Sequence, residues 1–136
     1  MSDFGCYMII SNDTDEDLTL SDLPTPGWGY WVTPPPSTLK AHSSSERLAL
    51  IDSSGPAGTE GSFIYQTSAG STFTATFGCP FSGKNYGTWT GDFKNQNFDL
   101  SWSAFVGQNN PPENGAVPPD GHPCSYNFTI KSTTKK

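Results

Sequence analysis

The sequence predicts an all-β fold, a single antiparallel β-sandwich domain spanning residues 1–136. Three observations carry this. Apolar and polar residues alternate with period two in many short runs, while no window shows the i, i+3, i+4, i+7 spacing of a core-facing helix. Fourteen glycines and twelve prolines punctuate those runs, at roughly the 8 to 12 residue spacing of short strands joined by turns. The apolar load falls on nine Phe, five Tyr and four Trp, side chains that fit a pleated, half-buried surface. A barrel, open or closed, is the alternative closure. No internal repeat is visible, which argues against a propeller or solenoid.

Taken in order, Cys6 to Ser11 (CYMIIS) reads as the first strand, ended by the acidic turn NDTDED. Leu18, Leu20 and Leu23 mark a second. Gly29 to Thr33 (GYWVT) forms a third, stopped by Pro34-Pro35-Pro36, which cannot donate to a ladder. Leu48 to Asp52 is a fourth. Gly61 to Thr67 and Thr72 to Phe77 form a hairpin about the turn Ser68 to Ser71, with Phe73, Ala75 and Phe77 on one face. Gly87 to Thr90 follows. Asn97 to Ser103 then puts Phe98, Leu100 and Trp102 on one side, and Ser125 to Ser132 does the same with Tyr126, Phe128 and Ile130. Between these two lies a Pro/Gly/Asn loop, Gln108 to Pro123, of a length that suggests function or mobility.

Charge and composition remove several functions. Thirteen acids against seven bases leave a net charge of −6, so no nucleic-acid partner is expected, because phosphate binding is driven by Lys and Arg. Adhesion to anionic lipid by charge alone is disfavoured for the same reason. No run of 18 apolar residues offers a membrane span. The opening MSDFGCYMIISND lacks a basic leader region, so it predicts a soluble chain without a signal peptide, cytoplasmic or released without one.

Catalysis and metal binding find little support. The run Asn12 to Asp17 spaces acids as calcium loops do, but Leu18 stands where an EF-hand needs Gly and Pro24 where it needs Glu. It reads as a solvated turn. His42 and His122 fall in no metal-binding or hydrolase spacing. The expectation is a protein that is no enzyme, with no catalytic residues, no metal and no cofactor. Of the three cysteines, Cys79 shares the parity of Phe73 and Phe77 and is expected to be a buried thiol. Cys6 and Cys124 fall on the first and last strands, and two readings stay open: a disulfide between them, or reduced buried thiols throughout.

The aromatic distribution is the informative feature. Trp28, Tyr30 and Trp31 crowd into GWGYW, and Phe81, Tyr86 and Trp89 crowd around CPFSGKNYGTW. Alternation buries only one face of a strand, so part of each cluster must reach the surface. Rings capping the ends of the core account for some of them. An amphipathic aromatic rim accounts for the rest, since Trp and Tyr favour sites with one apolar and one wet side, lipid interfaces included.

Four motifs in order, IISN (Ile9 to Asn12), WGYW (Trp28 to Trp31), GTEGSF (Gly58 to Phe63) and CPFSGKN (Cys79 to Asn85), resemble the aegerolysin family, small acidic β-sandwich proteins that bind membrane lipids. The resemblance covers nearly the whole chain. It departs at the turn, where the family pattern Trp-Asp-Cys-Pro-Trp is here Phe77-Gly78-Cys79-Pro80-Phe81, without the acid and the two indoles. The resemblance implies binding to sphingolipid- or sterol-rich membranes, and a role as the docking subunit for a larger membrane-attack-type pore-forming protein. It implies a lipid-binding set of Trp28, Tyr30, Trp31, Phe81, Tyr86 and Trp89, with Glu60 and Lys84 on a zwitterionic headgroup. A lectin-like module, its rings stacked on sugars, is the alternative.

Overall fold

A computed structural model describes residues 4–52, 58–80, 84–93, 98–106 and 123–132, with the side chains of residues 105 and 106 excepted. Among these, eleven strands and no helix form a β-sandwich. They are β1 (Cys6–Asp13), β2 (Leu18–Asp22), β3 (Tyr30–Thr33), β4 (Thr38–Leu39), β5 (Ser43–Ser44), β6 (Leu48–Ile51), β7 (Thr59–Gln66), β8 (Thr72–Cys79), β9 (Tyr86–Asp92), β10 (Phe98–Val106) and β11 (Cys124–Ser132). The first sheet runs β10-β11-β1-β6-β3, with β5 paired to β1; the second runs β4-β2-β7-β8-β9.

The sandwich is as the alternation predicts, with one departure in strand sense. The terminal strands β1 and β11 pair in parallel over eight residues, from Cys6 opposite Cys124 to Asp13 opposite Lys131. A parallel neighbour needs a long crossover, and here the crossover is nearly the whole chain. The short strands β4 and β5 have too few residues to show a period, and the sequence does not reveal them. The long loop before β11 and His122 lie outside the described residues.

Alternation places one face of each long strand inside. In β1, Cys6, Met8, Ile10 and Asn12 are buried; in β8 it is Phe73, Ala75, Phe77 and Cys79; in β11 it is Cys124, Tyr126, Phe128 and Ile130. The core is aromatic and geometrically specific. Phe63 sits centrally, edge-on to Tyr65 at 5.7 Å and to Phe128 at 6.3 Å, while Phe73 meets Phe98 edge-on at 5.1 Å and Tyr126 stacks on Phe128 at 5.7 Å. Such ring pairs add about 0.5–1.5 kcal/mol each beyond area burial.

The acidic turn after β1 is more built than a solvated turn requires. Asn12, 1% exposed, donates from Nδ2 to the carbonyls of Glu16, Leu39 and Lys40, and its Oδ1 accepts the amide and hydroxyl of Thr14. One buried amide thus satisfies backbone from two segments. The three cysteines are buried thiols and no disulfide joins them.

Candidate functional site

The site begins where the chain passes from one sheet to the other. Before entering β3, residues Gly27 and Trp28 pair with Glu60 of β7: the Gly27 amide donates to the Glu60 carbonyl at 3.0 Å, and the Glu60 amide donates to the Trp28 carbonyl at 3.2 Å. Two residues later the same chain is bonded to β6 in the other sheet. Gly29 makes that corner with φ of 94°, a conformation open to glycine. A Cβ there would also stand 2.7 Å from the Ile51 carbonyl oxygen, so backbone as well as φ demands glycine.

This corner throws aromatic side chains outward. Trp28 is 58% exposed and Tyr30 52%, and Val32 on the same parity of β3 is exposed as well. Across the junction, Tyr86 opens β9 opposite Gly78 of β8, and its ring lies where a Cβ on Gly78 would be. A glycine on a sheet face is thereby covered by its cross-strand aromatic neighbour, and Tyr86 remains 37% exposed.

Beside Tyr86 is an open depression of about 220 Å³ lined by Thr25, Gly27, Glu60, Gly61, Ser62, Thr76 and Tyr86. The Glu60 carboxylate folds over Gly27, with Oε1 2.8 Å from where a Cβ would sit. Its charge is felt by Tyr86, whose phenol is held above its ordinary range, first by burial and then by Glu60. Thr25, Ser62 and Thr76 add hydroxyls. The Tyr86 phenol, the Glu60 carboxylate and these hydroxyls, with the exposed Trp28 indole paired next to Glu60, can take a ligand with an apolar body and a polar or cationic head.

Of the eight residues singled out from the sequence, the structure brings Trp28, Tyr30, Glu60 and Tyr86 to this junction. Lys84 is exposed two residues before Tyr86. Phe81 lies outside the described residues. The other two tryptophans turn inward. Trp31 sits opposite Leu50 in the β3–β6 register and meets Phe77 edge-on at 6.0 Å, half-buried against the core, with its indole N–H buried and without an acceptor. Trp89 is 5% exposed, sits opposite the buried Ala75, packs on Phe128 at 5.1 Å and donates its indole N–H to the Thr129 carbonyl at 3.0 Å. It offers a ligand no face. Parity is the reason: Trp89 and Tyr86 are three apart on one strand, so only one of them can look out. Thr25, Ser62 and Thr76 had no motif to single them out, although the opposition of Ser62 and Thr76 across the hairpin follows from its turn.

No protein-family model and no curated protein matches the sequence. Solved structures do match in fold. IP-1A from Alcaligenes faecalis superposes with a TM-score of 0.64 at 16% identity, over 96% of this chain and 91% of that one. The lipid-binding protein Nakanori gives 0.67 at 10% identity, over 94% and 71%. RahU, solved in complex with a TRIS molecule, gives 0.61 at 15% identity, over 99% and 98%. At these identities the likeness is one of fold.

Proposed function

We propose that the protein binds membrane lipid, as an aegerolysin-like module, through the sheet junction that presents Trp28, Tyr30 and Tyr86. The observation that carries this reading is the pair of large rings, Trp28 and Tyr30, left more than half exposed beside a carboxylate-bearing depression. A water-facing indole has no folding benefit to offset its exposed area. At a bilayer its apolar body enters the interface while its N–H stays hydrogen-bonded at headgroup level. Glu60 faces the ammonium of a zwitterionic headgroup, and Lys84 its phosphate. Nakanori, similar in fold, is itself a lipid-binding protein. The reading includes no covalent chemistry and no cofactor.

Sphingolipid- and sterol-rich membranes are the proposed target, and docking for a larger pore-forming protein is the proposed use. Among the described residues no helix is long and apolar enough to cross a membrane. Sedimentation with vesicles of varied sphingolipid and sterol content tests the reading. Binding is expected to rise with both lipids and to change little with salt, since the acidic chain gains nothing from anionic lipid. Absence of binding across the panel would refute it.

A second reading, a glycan-binding module, is favoured by the hydroxyls of Thr25, Ser62 and Thr76 beside the Tyr86 ring. A glycan array separates the two: retention of defined sugars without vesicle binding would select the second.

A further inference from the structure

The thiols of the terminal strands stand in direct register. Cys6 begins β1, Cys124 begins β11, and the two are partners in the parallel pair. Both side chains point inward, 0% and 2% exposed. Neighbouring strands run about 4.8 Å apart, inside the Cα separation of about 4.4–6.8 Å that a disulfide spans. The backbone already holds the two ends together, since the Cys124 amide donates to the Gly5 carbonyl at 3.0 Å. Around the pair, Cys6 Sγ lies 3.1 Å from Thr59 Oγ1, and Thr59 is the register partner of Cys79. The Tyr126 hydroxyl shares its proton between the carbonyl oxygens of Tyr86 at 2.8 Å and Gly78 at 3.2 Å, and its pKa is raised by burial and then by all three thiols, which lie close to it. All three thiols therefore gather at the end of the sandwich that carries Tyr86.

We propose that Cys6 and Cys124 form a site of oxidative modification, closing to a disulfide that ties the first strand to the last when the protein meets a hydroperoxide. One thiol takes the terminal oxygen of the peroxide, giving a sulfenic acid and an alcohol or water. The second thiol then displaces water from that sulfenic acid, so that two electrons pass to the peroxide and the Sγ–Sγ bond forms. Access comes by fraying of the strand ends, since Cys6 and Cys124 are the first residues of β1 and β11 and a strand's end opens locally while its middle stays paired. The bond would close nearly the whole chain into one loop, the arrangement in which cross-linking constrains the unfolded chain most. Cys79, on the other sheet, is not a partner in the reaction.

The test treats the full-length folded protein with hydrogen peroxide and maps its peptides by mass spectrometry without reduction. The expected result is a Cys6–Cys124 cross-link and a melting temperature raised by roughly 10 °C. The rise should be reversed by dithiothreitol, kept in Cys79→Ala and lost in Cys124→Ala. The wild-type peptide map stands whether or not those variants fold. A cross-link through Cys79, sulfinic acid in place of a disulfide, or thiols that stay unmodified would each overturn the proposal.

Discussion

Trp28 and Trp89 show how position on the pleat divides one residue type between two tasks. Trp89 lies between Phe73 and Phe128 with its N–H satisfied, so Trp89→Ala should cost about 3–5 kcal/mol through lost contacts and the cavity left behind. Trp28 leaves most of its surface in water, and Trp28→Ala should stay within about 0.5 kcal/mol of wild type. Urea unfolding of the two variants checks the contrast; equal losses would place Trp28 in the core. Gly29→Ala should cost at least about 2 kcal/mol, because an alanine must both adopt positive φ and displace the Ile51 carbonyl. Far from the candidate site, His42 holds φ of 55° and sets Nε2 2.7 Å from Asp15 and Nδ1 3.3 Å from Asp13. Those hydrogen bonds, Asp15's before Asp13's, raise its pKa above the ordinary 6.5. The linkage follows in sign: the stabilisation is fully present below pH 6.5 and fades as pH rises through the folded value. An imidazole titration by NMR should show the raised value, and Asp15→Asn should bring it down. A pKa at or below 6.5 in the wild type would show that the bridge does not persist in solution.

At the scale of the strand, the N-terminal segment holds a central place. β1 lies between β11 and β6 and contributes Cys6, Met8 and Ile10 to the core. Hydrogen exchange should therefore find the amides of β1 and β11 among the slowest and those of the edge strand β3 faster. Removal of residues 1–13 should abolish the cooperative melt; a truncated chain that still melts sharply would contradict the observed sheet order. β1, β8, β10 and β11 were legible because each carries three or four alternating apolar residues, as Phe73, Ala75 and Phe77 do. β4 and β5, at two residues each, have no period to read. The parallel pairing of β1 with β11 was hidden for another reason. Alternation says which face of a strand is inside and nothing about which neighbour it takes.

Across the whole molecule, the chain crosses between the two sheets at a corner made by Gly29, with Trp28 and Tyr86 exposed on the side of one sheet and Tyr30 on the other. The aromatic clusters around that corner were visible in the sequence, and strict use of parity would have sorted Trp31 and Trp89 to the inside. The depression at Glu60 was less visible, because Thr25, Ser62 and Thr76 come together only through the pairing of β7 with β8 and the crossing of Gly27 onto β7. If this side of the molecule enters a lipid interface as proposed, Trp28 is its own reporter. Intrinsic fluorescence should be recorded with vesicles of sphingomyelin and cholesterol whose accompanying phospholipid carries brominated acyl chains, which quench only indoles at membrane depth. Quenching is expected in the wild type and should disappear in Trp28→Phe, a variant expected to retain the fold and much of the binding. Quenching equal in both proteins, or none while the wild type sediments with the same vesicles, would contradict the proposal.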